Sequence, residues 1–387
     1  MKIVYTDNNA TTKVAPEVLE EMLPYFSERY GNPSSMHSFG GNVGRAVTRA
    51  REQVAALINA EPDEIVFTSC GTESDNAAIH AALAANPEKR HIITSGVEHP
   101  AIKNPLEGLE KQGYRVTFLP VDSKGRLDMD RLYESMTDDT ALISLMWANN
   151  ETGVIFPIRE IARRALEKGI LFHTDAVQAV GKIPIDVKDA GVSMLSLSGH
   201  KIHAPKGVAA LYIKKGLKFA SFMNGGHQEK GRRGGTENTA SIIGLGKACE
   251  LAQAHLKEMD TRIRDLRDFL ETRLVELIPA ATVNGDRENR LPNTLNIGFT
   301  AVEGESILLL MDEAGICASS GSACTSGSLD PSHVLMAMKV PFESAHGTIR
   351  FSLSWYNTQE DMDHIVATLP GVIQRLRDMS PFWKQEG

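Results

Sequence analysis

Seven short apolar runs, each closed by glycine or polar residues, recur along the chain: EIVFTS (64–69), HIITSG (91–96), RVTFLPV (115–121), TALISLMW (140–147), GILFHTD (169–175), VSMLSLS (192–198) and GVAALYI (207–213). Their apolar residues run on rather than alternate, the pattern of strands buried on both faces. Between several of them lie helix-period segments such as PIREIARRALEKG (157–169). Strand alternating with helix predicts an α/β fold, a mainly parallel seven-stranded sheet covered by helices, with its site at the carboxyl ends of the strands.

From about Ser241 the texture changes to two long amphipathic helices, 241–257 and 259–277. A smaller α+β unit follows, with strands in TLNIGF (294–299) and GTIRFSL (347–353), a helix near 304–314 and a last helix near 358–377. No internal repeat, low-complexity tract or long linker interrupts the chain, so the domain junction is expected within a helix.

Composition narrows the function. The 387 residues are 42% hydrophobic and 23% charged, as in soluble globular proteins. A net charge of -8 without a basic stripe argues against a nucleic-acid binder. The small cluster Lys230, Arg232 and Arg233 could serve one phosphate. The N-terminal MKIVYTDNNATT lacks the apolar core of a signal peptide, and no run approaches a membrane span. A cytoplasmic protein with no membrane partner is expected. Cysteines 70, 249, 317 and 324 form no C-x-x-C pair and read as free thiols. Cys317, in an apolar context, is expected to be buried, and Cys70 to serve packing alone.

Polar groups gather at the strand ends. SLSGHKIHAPKG (196–207) follows a strand with Ser198, His200 and Lys201, and a lysine there can form a Schiff base with a carbonyl cofactor. A plain surface lysine would read the same way, and Lys206 is a second candidate that spacing does not separate. Asp175 in HTDAVQAVGK can pair with a protonated pyridine nitrogen or simply cap a helix, with Gln178 three residues on. FTSCGTESD brings Gly71 and Thr72 to a helix start, an anion site by its backbone N–H groups. His99 in GVEHPA, and Asn149 and Asn150 in MWANNETG, close two further strands. Cys324 lies in ASSGSACTSGSLDPSHV, where glycine and serine replace the aliphatic neighbours of a buried thiol, so it reads as a thiol on a loop.

Taken together, DNNATT, GNPSS-x-HSFG, FTSCGTESD, VEHPA, MWANNETG, FHTDAVQAVGK, SGHKIHAPKG, GRRGGTEN, RLPNT, the Cys324 loop and AHGTIRFSLS resemble, over nearly the full length, the pyridoxal-phosphate-dependent cysteine desulfurases. The resemblance is strongest to the nitrogen-fixation type with a long catalytic-cysteine loop. It implies a fold-type I pyridoxal-phosphate transferase, with a large domain of residues 15–257 and a small α+β domain of residues 1–14 plus 258–387. It implies that Lys201 carries the cofactor, Asp175 pairs with the ring nitrogen, Gln178 bonds the ring hydroxyl, and His99 stacks on the ring and moves protons. Gly71, Thr72, Ser198 and His200 would hold the phosphate, with Thr236 reaching it from the partner subunit of a homodimer. Asn150 and Arg350 would hold the carboxylate of L-cysteine, although the position of Arg350 in TIRFSLS would equally permit a strand-end salt bridge.

On that resemblance Cys324 takes the sulfur as a persulfide, releasing alanine, and passes it to an iron-sulfur scaffold or another acceptor. It also implies Cys324 as a transient iron-sulfur ligand and a supply of sulfur for nitrogenase. An aminotransferase would leave Cys324 without a purpose, and a non-catalytic scaffold would not need Lys201, Asp175 and His99. Selenocysteine cleavage is chemically close.

Overall fold

The computed structural model describes residues 2–320 and 331–383. The seven predicted runs all form strands of one sheet. After β1 (Val4–Tyr5) come β2 (Ile65–Thr68), β3 (His91–Ser95), β4 (Arg115–Leu119), β5 (Thr140–Ser144), β6 (Leu171–Asp175), β7 (Met194–Ser198) and β8 (Ala209–Ile213). Their order is β2-β8-β7-β6-β5-β3-β4, and β8 alone runs antiparallel to both its neighbours. Two strands stop short of the apolar pattern. β4 ends at Leu119 because Pro120 has no N–H to donate. β5 ends at Ser144, although the N–H groups of Leu145 and Trp147 still reach the carbonyls of His173 and Asp175, at 3.1 and 2.8 Å.

Helices cover both faces. The helices Ser38–Leu57 and Thr239–Glu258 cross so closely that a Cβ at Gly246 would lie 2.6 Å from the Cα of Ala50. The second of these passes through a π-helical turn, Met259–Ile263, into Arg264–Leu277, so the two helices expected at 241–277 are one continuous rod.

The rest of the sheet structure comprises β9 (Ala281–Val283), β10 (Thr294–Phe299), β11 (Ile316–Cys317), β12 (Ser319–Ser320) and β13 (Thr348–Ser352). Four of these make an antiparallel sheet ordered β12-β13-β10-β9, while β11 pairs in parallel with β1, Val4 opposite Ile316. The helices Gly304–Glu313 and Gln359–Met379 pack here, the latter started by a capping box between Thr358 and Asp361. One hydrophobic core joins Val4 to residues between Met259 and Ile373, while two others fill the faces of the seven-stranded sheet.

The segment after β1 ties these layers together. Asn8 N–H donates to the Ser352 carbonyl at 3.1 Å, while those of Thr12 and Ala15 donate to the carbonyls of His200 and His203, at 2.9 and 3.0 Å. Residues 7–15 thus run from the small sheet to the end of β7. Among the described residues no helix is long and apolar enough to cross a membrane.

Candidate active site

A cavity of about 280 Å³ opens where β6 and β7 end, and nine of the predicted residues line it: Gly71, Thr72, His99, Asn150, Asp175, Gln178, Ser198, His200 and Lys201. Two larger surface grooves, of about 700 and 990 Å³, contain none of them.

Lys201 ends the short helical turn that leaves β7. Its Nζ donates to the carbonyls of Asn9 and Ala10, at 2.6 and 2.8 Å. Burial, aided by the charge of Arg350, lowers its pKa from 10.5 to about 8, against the pull of Asp175 and Asp7. Lys206 is exposed, and this separates the two lysines.

Asp175, the last residue of β6, is buried and accepts the Val177 N–H at 2.9 Å, closing a tight turn rather than starting a long helix. Burial raises its pKa, opposed by His99 and Lys201. Beneath it lies Asp75, which burial and the charge of Asp175 push well up. His173 Nε2 is 3.6 Å from Asp75, but burial drives that imidazole down to about 3, so at neutral pH the contact is no ion pair.

His99 caps the helix Pro100–Glu110, its Nδ1 accepting the Ala101 N–H at 3.1 Å. With Nδ1 an acceptor, the neutral ring carries its proton on Nε2. Desolvation lowers its pKa, with Asp175 opposing.

Opposite, the helix Gly71–Ala85 begins with no side-chain cap on its first N–H groups. A Cβ at Gly71 would come within 3.0 Å of Val177 and 3.6 Å of Ser198, so the helix end approaches the strand end closely because residue 71 is glycine. Ser198 Oγ is buried without a partner among the described residues. His200 Nδ1 lies 3.2 Å from Thr11 Oγ1, and burial lowers its pKa to about 4. Uncapped N–H groups and an unpaired hydroxyl make a receptor for an anion.

The Gln178 amide is held at both ends. Nε2 donates to the Asn9 carbonyl at 2.9 Å, and Oε1 accepts from Lys182 Nζ at 2.6 Å. Asn9 and Lys182 escaped the sequence reading, although DNNATT and QAVGK contain both. Lys182 is buried, which pushes its pKa well down.

Three predicted residues are not in the cavity wall. Arg350, on β13, is turned to internal partners, Asp7 Oδ1 at 2.9 Å and the Asn150 carbonyl at 3.0 Å. Thr236 is exposed. Cys324 lies outside the described residues, and among those described no group of three or more metal-binding side chains occurs.

The basic cluster is already engaged within the chain. Lys230 pairs with Asp63 at 2.5 Å, Arg232 donates to the carbonyls of Asp63 and Ile65, and Arg233 pairs with Glu73 at 2.9 Å. Cys317 is only half-buried, being on the opposite face of β11 from the fully buried Ile316. Cys70 is exposed on the cavity rim rather than packed inside.

A sheet ending in a half-buried lysine, a buried aspartate and an uncapped helix start fits the match of residues 4–365 to the aminotransferase class-V family, and the chain belongs to that family. Its relatives there carry one name in particular. The chain is 58% identical over 386 residues to a cysteine desulfurase of Nostoc sp. strain PCC 7120, covering 100% of this chain and 96% of that protein. It is 56% identical over 388 residues to the cysteine desulfurase NifS of Azotobacter vinelandii, with the same coverage. Among solved structures, a NifS-like protein superposes with a TM-score of 0.91 at 38% identity, over 97% of this chain and 100% of the other. SspA in complex with cysteine gives a TM-score of 0.80 at 36% identity, over 92% and 99%.

Proposed function

We propose that the protein is a pyridoxal-phosphate-dependent cysteine desulfurase that converts L-cysteine to L-alanine and passes the sulfur on for iron-sulfur cluster assembly. The observation that carries this reading is the Lys201 amine, held on the carbonyls of Asn9 and Ala10 in a cavity it shares with Asp175 and an uncapped helix start. The relatives named cysteine desulfurase support the same reading.

The residues fit the cofactor. The helix start at Gly71 and Thr72, with Ser198 Oγ and His200, would hold the phosphate. Asp175 would pair with the ring nitrogen, Gln178 would donate to the ring hydroxyl and His99 would cover the ring face. Bound there, pyridoxal phosphate supplies an electron sink beside the substrate's Cα. Lys201, its pKa lowered towards neutrality, can attack a carbonyl in its uncharged form and afterwards carry a proton. The Nε2 proton of His99 gives a second mobile proton on the same cavity. Asn150 and Arg350 would hold the substrate carboxylate.

Cys324 as thiolate would take the substrate sulfur, the carbon–sulfur bond breaking as the sulfur–sulfur bond forms. Alanine then leaves, and the persulfide goes to an acceptor, with Cys324 also a transient iron-sulfur ligand. Nitrogenase maturation is the pathway suggested by the NifS name. The working form would be a cytoplasmic homodimer in which Thr236 reaches the partner's phosphate site.

The test is alanine formation from L-cysteine with a thiol reductant, comparing wild type, Cys324→Ala and Lys201→Ala. Alanine from wild type alone is expected. A cofactor-loaded wild type that formed none would overturn the reading.

A further inference from the structure

The Arg350 guanidinium is buried, and its donors are unequally used. Nη1 donates to the Asn150 carbonyl at 3.0 Å and Nη2 to Asp7 Oδ1 at 2.9 Å. The Nε–H, equally buried, has no partner among the described residues. Asp7 Oδ1 also accepts the Ser319 hydroxyl at 2.8 Å, and Ser319 faces Arg350 across the β12–β13 pair. A guanidinium holds a carboxylate best through two parallel N–H donors. Asp7 reaches only one donor and divides the same oxygen between arginine and serine. The pair is therefore a one-point contact beside an unsatisfied donor, an arrangement that costs free energy in the absence of ligand.

On the function proposed above, Arg350 receives the carboxylate of an α-amino acid. On that basis, we propose that Asp7 is an internal competitor for the Arg350 guanidinium, which the substrate carboxylate must displace from Nη2 to gain a two-point contact. Asp7 is then a positioning residue that sets affinity. It holds the guanidinium ready between turnovers, and it favours ligands whose carboxylate can replace its own. An amine without a carboxylate cannot make this exchange.

The test uses cofactor-loaded enzyme and Asp7→Asn, which keeps an oxygen for Ser319 and removes the charge. Binding of L-alanine, followed by its protection against thermal unfolding, and the KM for L-cysteine are both expected to tighten about fivefold, with a smaller change in kcat. Cysteamine, which has the amine and thiol but no carboxylate, is expected to bind both enzymes alike. Asp7→Glu, still charged, should not tighten. A folded Asp7→Asn whose KM rose or stayed put would overturn the proposal. If that variant did not fold, a crystal structure of the wild-type enzyme with L-alanine would decide, since an intact Arg350–Asp7 bond beside bound alanine overturns it equally. Wild-type enzyme that bound neither amino acid would instead remove the reading of the site on which the proposal rests.

Discussion

The amine of Lys201 is held by a carbonyl 192 positions away in the chain, that of Asn9, at 2.6 Å. Asn9 is itself fixed from the small sheet and the cavity rim. Its side chain donates to Thr294 Oγ1 at 2.9 Å and the Asn150 carbonyl at 3.2 Å, and its N–H to Ser352 Oγ at 2.8 Å. The amine therefore sits in a frame built by both parts of the molecule.

That frame half-buries the amine, and its pKa near 8 sets a pH window. The rate at which the cofactor-free protein takes up pyridoxal phosphate is expected to rise through about pH 8 and then level off, because only the uncharged amine attacks. Uptake followed by visible absorbance checks this, and a midpoint near the ordinary 10.5 would contradict it. Stability follows with a definite sign. The unfolded chain holds the extra proton between about 8 and 10.5, so the cofactor-free fold gains stability as pH rises through that window. Lys201→Met should lose that gain.

His99 both caps a helix and faces the cavity, and Asn separates the two roles. Asparagine is a good N-cap, so His99→Asn should unfold within about 0.5 kcal/mol of wild type in urea. With the imidazole gone, alanine formation should fall about 100-fold. A variant of wild-type activity would confine His99 to capping.

Glu98 is wholly buried, and burial raises its pKa from 4.5 to about 8, although Ser95 Oγ and the Met146 N–H both donate to Oε1. The folded chain keeps a proton that the unfolded chain sheds. The resulting stabilisation is complete below about 4.5 and is lost as pH rises towards about 8. Glu98→Gln keeps the acceptor and removes the titration. Relative to wild type it should gain about 3 kcal/mol in urea unfolding between about pH 5 and about pH 8.

Glu229 stands at a left-handed φ of 49°, gripped at both oxygens by Arg51, at 2.6 and 2.7 Å, and by the Phe67 N–H at 3.1 Å. Glu229→Ala would take the carboxylate from a half-buried cation, leaving it the Ile65 carbonyl, and would leave that N–H unpaired. A loss of about 3–5 kcal/mol is expected, read as a lower melting temperature. Glu229→Gln, which keeps the acceptor for Phe67, should lose less.

The central sheet was legible because strands buried on both faces leave continuous apolar runs, and all seven appear in it. What blurred was their ends, since Leu145 to Trp147 are as apolar as β5 itself. The break expected near residue 258 is absent because a π-turn carries the helix through. The cavity residues stood out at strand ends as side chains with chemistry. Asn9 did not, because it holds Lys201 with a backbone carbonyl that any residue possesses. The ion pairs of the basic cluster were not legible for a related reason, since the carboxylate partners Asp63 and Glu73 lie far off in sequence.

The pairing of β1 with β11, and of Asn8 and Asn9 with Ser352, also orders events during synthesis. A nascent chain can close the seven-stranded sheet once β8 has left the ribosome. The contacts of Asn8 and Asn9 with Ser352 wait for β13, translated well over a hundred residues later. Until then the segment that frames the Lys201 amine rests on other contacts, among them those with Gln178, His200 and His203.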